Sequence, residues 1–215
     1  MCNLYSQKKS LQEVRDWFNV ISIDPSAGNL PEQAAIFPSY SAPVVYLENN
    51  ERKITMMNWG FVLSRSGKAA KHVNNCRDDK VITSQFWKGS FFNRRCLVPA
   101  SKFSEYHPSA RNKKGHKASV WFEVSEEPIF AFAGIWTEFT GQYKGELESF
   151  KTHSIITTTP NELVKPIHPS RMPVIIKPSN YESWLNGTIE IACELIIKYP
   201  ANKMRIANIG LNRDD

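Results

Sequence analysis

The chain begins Met1-Cys2, and a cysteine at an N-terminus carries two nucleophiles on adjacent carbons. Cysteine is small enough for an initiator methionine to be removed before it, which leaves a free α-amine beside the thiol. The amine titrates at about pH 8 and the thiol at about pH 8.5, so both are partly reactive at neutral pH. Such a 1,2-aminothiol condenses with an aldehyde, because the amine forms an imine and the thiol closes a thiazolidine ring. The alternative is an ordinary second residue on a frayed terminus.

Capping and periodicity signals predict the elements that would position this nucleophile. Ser10 and Glu13 form a capping box, and apolar residues at helical spacing follow it to about Val20. A second capping box, Ser179 to Glu182, predicts a short helix that ends at Gly187. We expect further helices over 78–87 and 188–199, and strands over 44–47, 53–57, 97–98, 119–124, 129–136, 154–158 and 173–176. Strands in the middle with helices at the edges indicate an α+β fold.

Composition and charge narrow the class of partner. Of 215 residues, 41% are hydrophobic and 12% aromatic, as in a folded globular protein. The 27 Lys and Arg exceed the 21 Asp and Glu, giving a net charge of +6, which suits a polyanion such as nucleic acid. The segment from Pro108 to Lys117 predicts a basic loop between strands, either a solvated hairpin tip or a loop that contacts phosphate.

The cysteines and histidines give no sign of a metal site. The four cysteines are Cys2, Cys76, Cys96 and Cys193, and their spacing matches no zinc motif, so we expect neither a metal nor a cofactor. We interpret the last three as buried structural thiols, and His72, His107, His116 and His153 as solvent or loop histidines. Without a leader or a long apolar run, we expect a soluble, reduced, cytoplasmic monomer with no membrane contact.

Seven segments together carry a more specific signal than any of them alone. They are Met1-Cys2, Asn58-Trp-Gly-Phe61, Asn75-Cys-Arg77, Arg95 to Tyr106, Phe132 to Trp136, Thr157 to Asn161, and Ile167 to Ile176. In order and spacing they resemble the SRAP family, the SOS-response-associated peptidases, from Cys2 to about Leu185. The resemblance implies a covalent sensor of abasic sites in single-stranded DNA, whose terminal cysteine crosslinks to the sugar aldehyde and shields the lesion.

By this resemblance, Glu105 and His168 are the acid–base residues. A carboxylate beside the N-terminal amine can hold an ammonium, and in its acid form it can expel water from the carbinolamine. Burial among Phe103 and Tyr106 would raise the pKa of Glu105 toward that task. The imidazole of His168 can move protons as the sugar ring opens. The alternatives are a surface glutamate on a loop and a histidine that merely precedes Pro169.

The resemblance also makes Asn75 the residue that orients Cys2, with Asn74 as its rival one position earlier. The side-chain amide of asparagine can both donate and accept hydrogen bonds. Asn3 departs from the pattern, because the family favours glycine there. Glycine would permit a positive φ beneath the reactive terminus, and asparagine is the side chain that tolerates that conformation best.

Five residues are candidates for contact with DNA. Arg77 and Arg171 are candidates for phosphate contacts, as are Arg94 and Arg95, because a guanidinium matches the geometry of the anion. Each could instead belong to a structural ion pair. Trp59, followed by Gly60, could stack on a base beside the lesion or could simply lie in the core.

These interpretations combine into one prediction. Residues 1–215 form a single SRAP-like domain of α+β class, with a mostly antiparallel, barrel-like central sheet and peripheral helices around a basic groove. Cys2, Asn75, Glu105 and His168 form the catalytic group, and the partner is single-stranded DNA that contains abasic sites. Three alternatives stay open: a cysteine peptidase or autopeptidase, an abasic-site lyase, and a DNA binder that forms no covalent bond.

Overall fold

The computed structural model describes residues 2–28, 32–65 and 68–210. The α-helices are α1 (Leu11–Phe18), α2 (Asp78–Val81), α3 (Gln85–Asn93), α4 (Tyr181–Asn186) and α5 (Ile189–Glu194). Short 3₁₀ turns cover Pro25–Ala27, Pro178–Asn180 and Ala201–Lys203. The strands are β1 (Tyr5–Gln7), β2 (Ser22–Ile23), β3 (Gln33–Ile36), β4 (Ser41–Glu48), β5 (Glu51–Trp59), β6 (Phe61–Arg65), β7 (Lys68–Val73), β8 (Asn75–Arg77), β9 (Arg95–Ala100), β10 (Lys102–Arg111), β11 (Lys117–Val124), β12 (Phe130–Tyr143), β13 (Glu146–Thr158), β14 (Met172–Pro173), β15 (Ile175–Ile176) and β16 (Met204–Gly210).

A closed five-stranded barrel forms the centre of the molecule. Its strands follow the order β5-β4-β9-β12-β13, and β13 pairs with β5 to close the ring. That closing pair is parallel and joins Thr152 to Asn58 and His153 to Trp59, whereas the other neighbours in the ring are antiparallel. The predicted α+β class with a mostly antiparallel barrel is therefore confirmed.

A second sheet packs against the barrel and brings the start of the chain with it. Its order is β16-β11-β10-β1-β3, so β1 lies between β10 and β3. Cys2 and Tyr5 belong to the same hydrophobic cluster as Trp59 of the barrel and Phe103 of β10. No helix within the described ranges is long and apolar enough to cross a membrane.

The local signals placed several elements correctly. The Ser10–Glu13 capping box is present, since Glu13 N donates to Ser10 Oγ over 3.2 Å and Ser10 N donates to Glu13 Oε2 over 2.9 Å. The predicted strands on either side of the Glu48–Arg52 turn pair as β4 and β5. These features depend on contacts between residues close in sequence, which is why the sequence pattern alone predicts them.

Other expected elements are wrong in detail. The helix over 78–87 is interrupted after Val81, and Ser84 caps the second piece by accepting from Phe86 N. No capping box forms at Ser179, because Pro178–Asn180 makes a 3₁₀ turn instead. The last helix stops at Glu194 rather than 199. Farther along, Asn161 Nδ2 donates to the carbonyl of Tyr199 over 2.7 Å, a tertiary bond that holds the segment after the helix.

His153 corrects the interpretation of the histidines as solvent residues. It is fully buried in β13, paired with Trp136 on one side and with Trp59 on the other. Burial disfavours the charged imidazolium and lowers the pKa of His153 to about 3. A neutral imidazole is thus built into the wall of the barrel.

The pKa of His153 is lower in the folded chain than in the unfolded chain, where it is about 6.5. The contribution of neutral His153 to the free energy of unfolding is therefore complete above pH 6.5 and is lost as the pH falls toward 3. We expect the free energy of unfolding to fall by about 2 kcal/mol from this residue between pH 7 and pH 5. Measured by urea unfolding, the free energy of unfolding of His153→Gln should fall less than that of the wild type between pH 7 and pH 5. Parallel pH profiles for the two proteins would contradict this assignment.

Candidate active site at Cys2

Cys2 is fully buried and is held at two points. Its Sγ lies 3.5 Å from the carbonyl of Leu4, to which the thiol donates, and its own carbonyl accepts from Asn75 Nδ2 over 2.8 Å. Burial raises the pKa of the Cys2 thiol, and the negative charge of Glu105 raises it further. The thiol is therefore protonated at neutral pH, and it needs a base before it can act as a nucleophile.

Strand pairing explains how distant residues meet at Cys2. Tyr5 of β1 pairs with Phe103 of β10, and Ser104 N donates to the Leu4 carbonyl over 2.9 Å, which places Glu105 beside the start of the chain. On the other side, β8 pairs in parallel with β13 through Asn75 and Ile155.

The structure also distinguishes Asn75 from its rival Asn74. Asn75 reaches Cys2 with its side chain, whereas the carbonyl of Asn74 accepts hydrogen bonds from Trp59 Nε1 over 3.0 Å and from Ile155 N over 3.1 Å. The Asn74 side chain lies against Gly60, so of the two only Asn75 faces Cys2. Asn75 Oδ1 is buried and has no hydrogen-bond partner within the described ranges, which leaves an acceptor directed at the site.

Glu105 is 5% exposed. Burial raises the pKa of Glu105 to about 7, so at neutral pH both the acid and the carboxylate are present in quantity. The residue lines a small cavity with Asn3, Leu4, Ser104 and Tyr106. Phe103 is buried as expected, but Tyr106 is 54% exposed, so the prediction that Tyr106 buries Glu105 is wrong. Tyr106 instead presents an aromatic surface beside the cavity.

His168 lies on a half-buried turn that precedes β14. Its backbone N donates to the Val164 carbonyl, and its Nδ1 accepts from Arg171 N over 3.1 Å. Burial lowers the pKa of His168, and a neutral ring whose Nδ1 accepts carries its proton on Nε2. Val164 and Ile167 pack in the cluster that contains Cys2, which brings this turn to the same region.

The two arginines expected at phosphates are both ion-paired. The Arg77 side chain is about half-exposed, and its Nε and Nη2 donate to the two carboxylate oxygens of Asp79 over 2.8 and 3.0 Å. Arg171 Nη2 donates to Asp78 over 2.7 Å, and the same guanidinium contacts Thr157. Although burial opposes it, hydrogen bonds from Thr158 and Arg171 hold the pKa of Asp78 below its usual value. The alternative of a structural ion pair therefore holds for both arginines, and the two aspartates directly after Arg77 are the sequence signal for it.

The structure places Trp59 and Arg95 in structural roles, not at a DNA surface. Trp59 is fully buried and meets Tyr5 edge to face at 5.0 Å. Arg95 is 7% exposed, and its guanidinium donates to the carbonyls of Trp184, Phe91 and Gly187. Neither side chain has a face that a base or phosphate can reach. Arg94 is half-buried and donates to the Trp136 carbonyl and Ser90 Oγ.

Two backbone conformations complete the site. Gly60 has φ +120°, and a Cβ there would lie 2.8 Å from Asn74 Oδ1 and 2.9 Å from His72 Cβ, so glycine is needed for the close approach of β7 and Asn74. Asn3 does not belong to the positive-φ residues. The path beneath Cys2 therefore requires neither glycine nor the left-handed conformation that asparagine would tolerate.

Comparison with known proteins identifies the family. Residues 1–211 match the family described as SOS response associated peptidase (SRAP). The chain belongs to the SRAP family. This SRAP protein is 24% identical over 215 residues to the abasic site processing protein YoaM of Bacillus subtilis, covering 98% of this chain and 91% of YoaM. It is 25% identical over 188 residues to YoqW of the same bacterium, also named an abasic site processing protein, covering 86% and 80%.

Solved structures show the same SRAP fold. A protein from Bacteroides thetaiotaomicron superposes with a TM-score of 0.78 at 24% identity, over 95% of this chain and 90% of that one. A protein from Bordetella bronchiseptica superposes with a TM-score of 0.75 at 18% identity, over 95% and 97%. Since identity is this low, the similarity concerns the fold alone.

Gly60→Ala should destabilise this SRAP protein more than a glycine replacement in open space. Gly145 also has a positive φ, of +95°, but an added Cβ there meets nothing within 4 Å. We expect Gly145→Ala to lower the free energy of unfolding by about 1 kcal/mol, because only its backbone is strained. Gly60→Ala should lower it by about 1–3 kcal/mol more, because its Cβ displaces Asn74 and His72. Urea unfolding measures both, and equal losses would rule out the steric argument.

Proposed function

We propose that this protein processes abasic sites in single-stranded DNA by forming a covalent crosslink through Cys2 after removal of Met1. The observation that carries the proposal is the pairing of Cys2, held at its thiol and its carbonyl, with Glu105, a buried carboxyl of pKa about 7. The relatives named abasic site processing proteins support the same substrate.

The reaction needs one electrophile and releases one water. The α-amine of Cys2 adds to the C1′ aldehyde of the ring-opened sugar to give a carbinolamine. Glu105 in its acid form protonates the departing hydroxyl, so water leaves and an iminium ion, which keeps its N–H hydrogen, is formed. Cys2 Sγ then adds to the iminium carbon, and the Glu105 carboxylate takes up the thiol proton, which restores its acid form. The product is a thiazolidine that joins the protein to the DNA.

The other site residues orient and supply protons in this scheme. Asn75 fixes the Cys2 carbonyl, and its free Oδ1 accepts a hydrogen bond from the α-amine, so the amine faces the aldehyde. His168 donates its Nε2 proton to the sugar ring oxygen as the ring opens. Glu105, with a pKa of about 7, can act as an acid and as a base at neutral pH, whereas burial lowers the pKa of His168 and keeps its ring neutral.

DNA contact requires groups that reach the surface beside Glu105. Arg77 and Arg171 contact phosphates, with Asp78 and Asp79 holding the two guanidinium groups in place until DNA arrives. The exposed ring of Tyr106 stacks on a base next to the lesion. Tyr106 thus takes the stacking role expected of Trp59, which is buried.

Cys2→Ser separates the two halves of the reaction. Serine keeps a small second residue and therefore a free α-amine, but it lacks the thiol. We expect this variant to give no heat-stable complex with an abasic oligonucleotide unless borohydride is added to reduce the imine. Cys193→Ser, which alters a thiol outside the site, should crosslink like wild type. A heat-stable complex from Cys2→Ser without reductant, seen by denaturing gel, would refute the mechanism, and intact mass establishes that Met1 is absent.

Glu105→Gln should slow crosslinking by about 100-fold or more, because the amide can neither donate nor take up the proton. The crosslinking rate of the wild type should change most steeply with pH around pH 7, where Glu105 titrates. The Glu105→Gln variant should lose this pH dependence. Glu127→Gln is the matched control, since burial also raises the pKa of Glu127, which contacts Tyr199 rather than Cys2. Single-turnover rates between pH 5.5 and pH 8.5 measure both variants. An unchanged inflection in Glu105→Gln would assign the titration to another group.

A further inference from the structure

We propose that residues 107–117, which comprise the end of β10, the turn after it and the first residue of β11, bind the phosphate backbone of DNA that flanks the lesion. We call these residues the basic arm. The inference rests on the proposed function for its substrate, but it concerns a different surface and a different kind of contact. Its consequence is a DNA footprint that extends well beyond the abasic nucleotide.

The charge of the basic arm is uncompensated. Between Glu105 and Glu123 the sequence contains no acidic residue, yet it contains four side chains with fixed positive charge: Arg111, Lys113, Lys114 and Lys117. All four are exposed. Within the described ranges none of the four forms an ion pair, whereas Lys102 and Arg205, toward the other end of β11, share Glu123. Unpaired exposed cations are the groups that phosphate can neutralise with release of counterions.

Internal hydrogen bonds organise the basic arm before any partner arrives. Asn112 Oδ1 accepts from the backbone N of Lys114 and of His116, each over 3.0 Å, and Asn112 N donates to the His116 carbonyl over 2.8 Å. At its base, His107 Nδ1 accepts from Ala110 N over 2.9 Å. A turn fixed in this way presents its lysines without a large entropic cost on binding.

The position of the basic arm sets where it can touch DNA. Strand β10 carries the buried Glu105, then the exposed Tyr106, and then continues to Arg111. Strand β10 bulges after Tyr106, so Glu105 pairs with Val120 of β11 and Arg111 pairs with Lys117. Three residues of β11 span about 10 Å, which equals about three phosphate steps along one strand of a duplex. The lysines of the turn lie beyond this pair, where the flanking backbone of the DNA passes.

Equilibrium binding to a tetrahydrofuran abasic analogue tests the arm without crosslinking, because the analogue has no aldehyde. The probes are a pentanucleotide with a central analogue and two longer oligonucleotides, each with about fifteen further nucleotides on the 5′ or the 3′ side alone. Each longer probe is used single-stranded and with its flank annealed to a complement. The variant is Lys113→Gln/Lys114→Gln. The control, Lys177→Gln/Lys203→Gln, removes the same charge from exposed lysines elsewhere.

We expect the arm variant to bind the pentanucleotide like wild type and to bind one of the longer probes about tenfold more weakly at about 0.1 M salt. On that probe, the slope of log K against log salt should become shallower by about 1.4, which corresponds to two lost phosphate contacts. The control should match wild type on every probe. Comparison of annealed and unannealed flanks shows whether the phosphates belong to single-stranded or duplex DNA.

Two results would overturn the inference. One is an unchanged affinity of the arm variant for all longer probes, and the other is an equal loss on the pentanucleotide, which would reflect net charge rather than a separate contact. Crosslinking to an aldehyde-bearing pentanucleotide is measured in parallel and should be unaffected in the arm variant. If wild type itself fails to crosslink, the proposed function fails, while the salt slopes still decide the role of the arm.

Discussion

The hydrogen bond from Asn75 Nδ2 to the carbonyl of Cys2 ties the beginning of the chain to the barrel, and the rest of the site depends on it. The first residues of a chain normally fray, because few contacts hold them. Here Cys2 is buried, and the strand that follows it is paired on both edges. The thiol of Cys2 is thereby held in a fixed position near the beginning of the chain, as the proposed reaction requires.

That anchoring rests on a supporting set of buried contacts. Gly60 has no side chain, so Asn74 and His72 can approach its backbone closely, and Trp59 donates to the Asn74 carbonyl. The parallel pairing of β5 with β13 closes the barrel directly beside these residues. Trp59 and Gly60 thus act on the nucleophile through the segment that leads to Asn75, and their role in the site is positional.

Burial has opposite consequences for the titratable groups of this molecule. It raises the pKa of Glu105 to about 7, and it lowers the pKa of His153 to about 3. In both cases burial disfavours the charged form, because that form loses its hydration. The charged form of a carboxyl is the deprotonated one, whereas the charged form of an imidazole is the protonated one. Glu105 consequently becomes able to exchange protons at neutral pH, whereas His153 becomes a neutral part of the core.

Features that depend on residue type and near neighbours were predictable from the sequence: the thiol of Cys2, the capping box at Ser10, the β4–β5 hairpin and the basic stretch after Tyr106. Motif order also pointed to Asn75, Glu105 and His168. Which asparagine faces Cys2 depends on tertiary contacts, because Asn75 reaches the Cys2 carbonyl while the Asn74 side chain lies against Gly60. Only the tertiary structure decided that Trp59 and Arg95 are buried while Tyr106 is exposed, and that β1 and β16 pair at all. Burial and pairing are set by residues distant in sequence, and no local pattern encodes them.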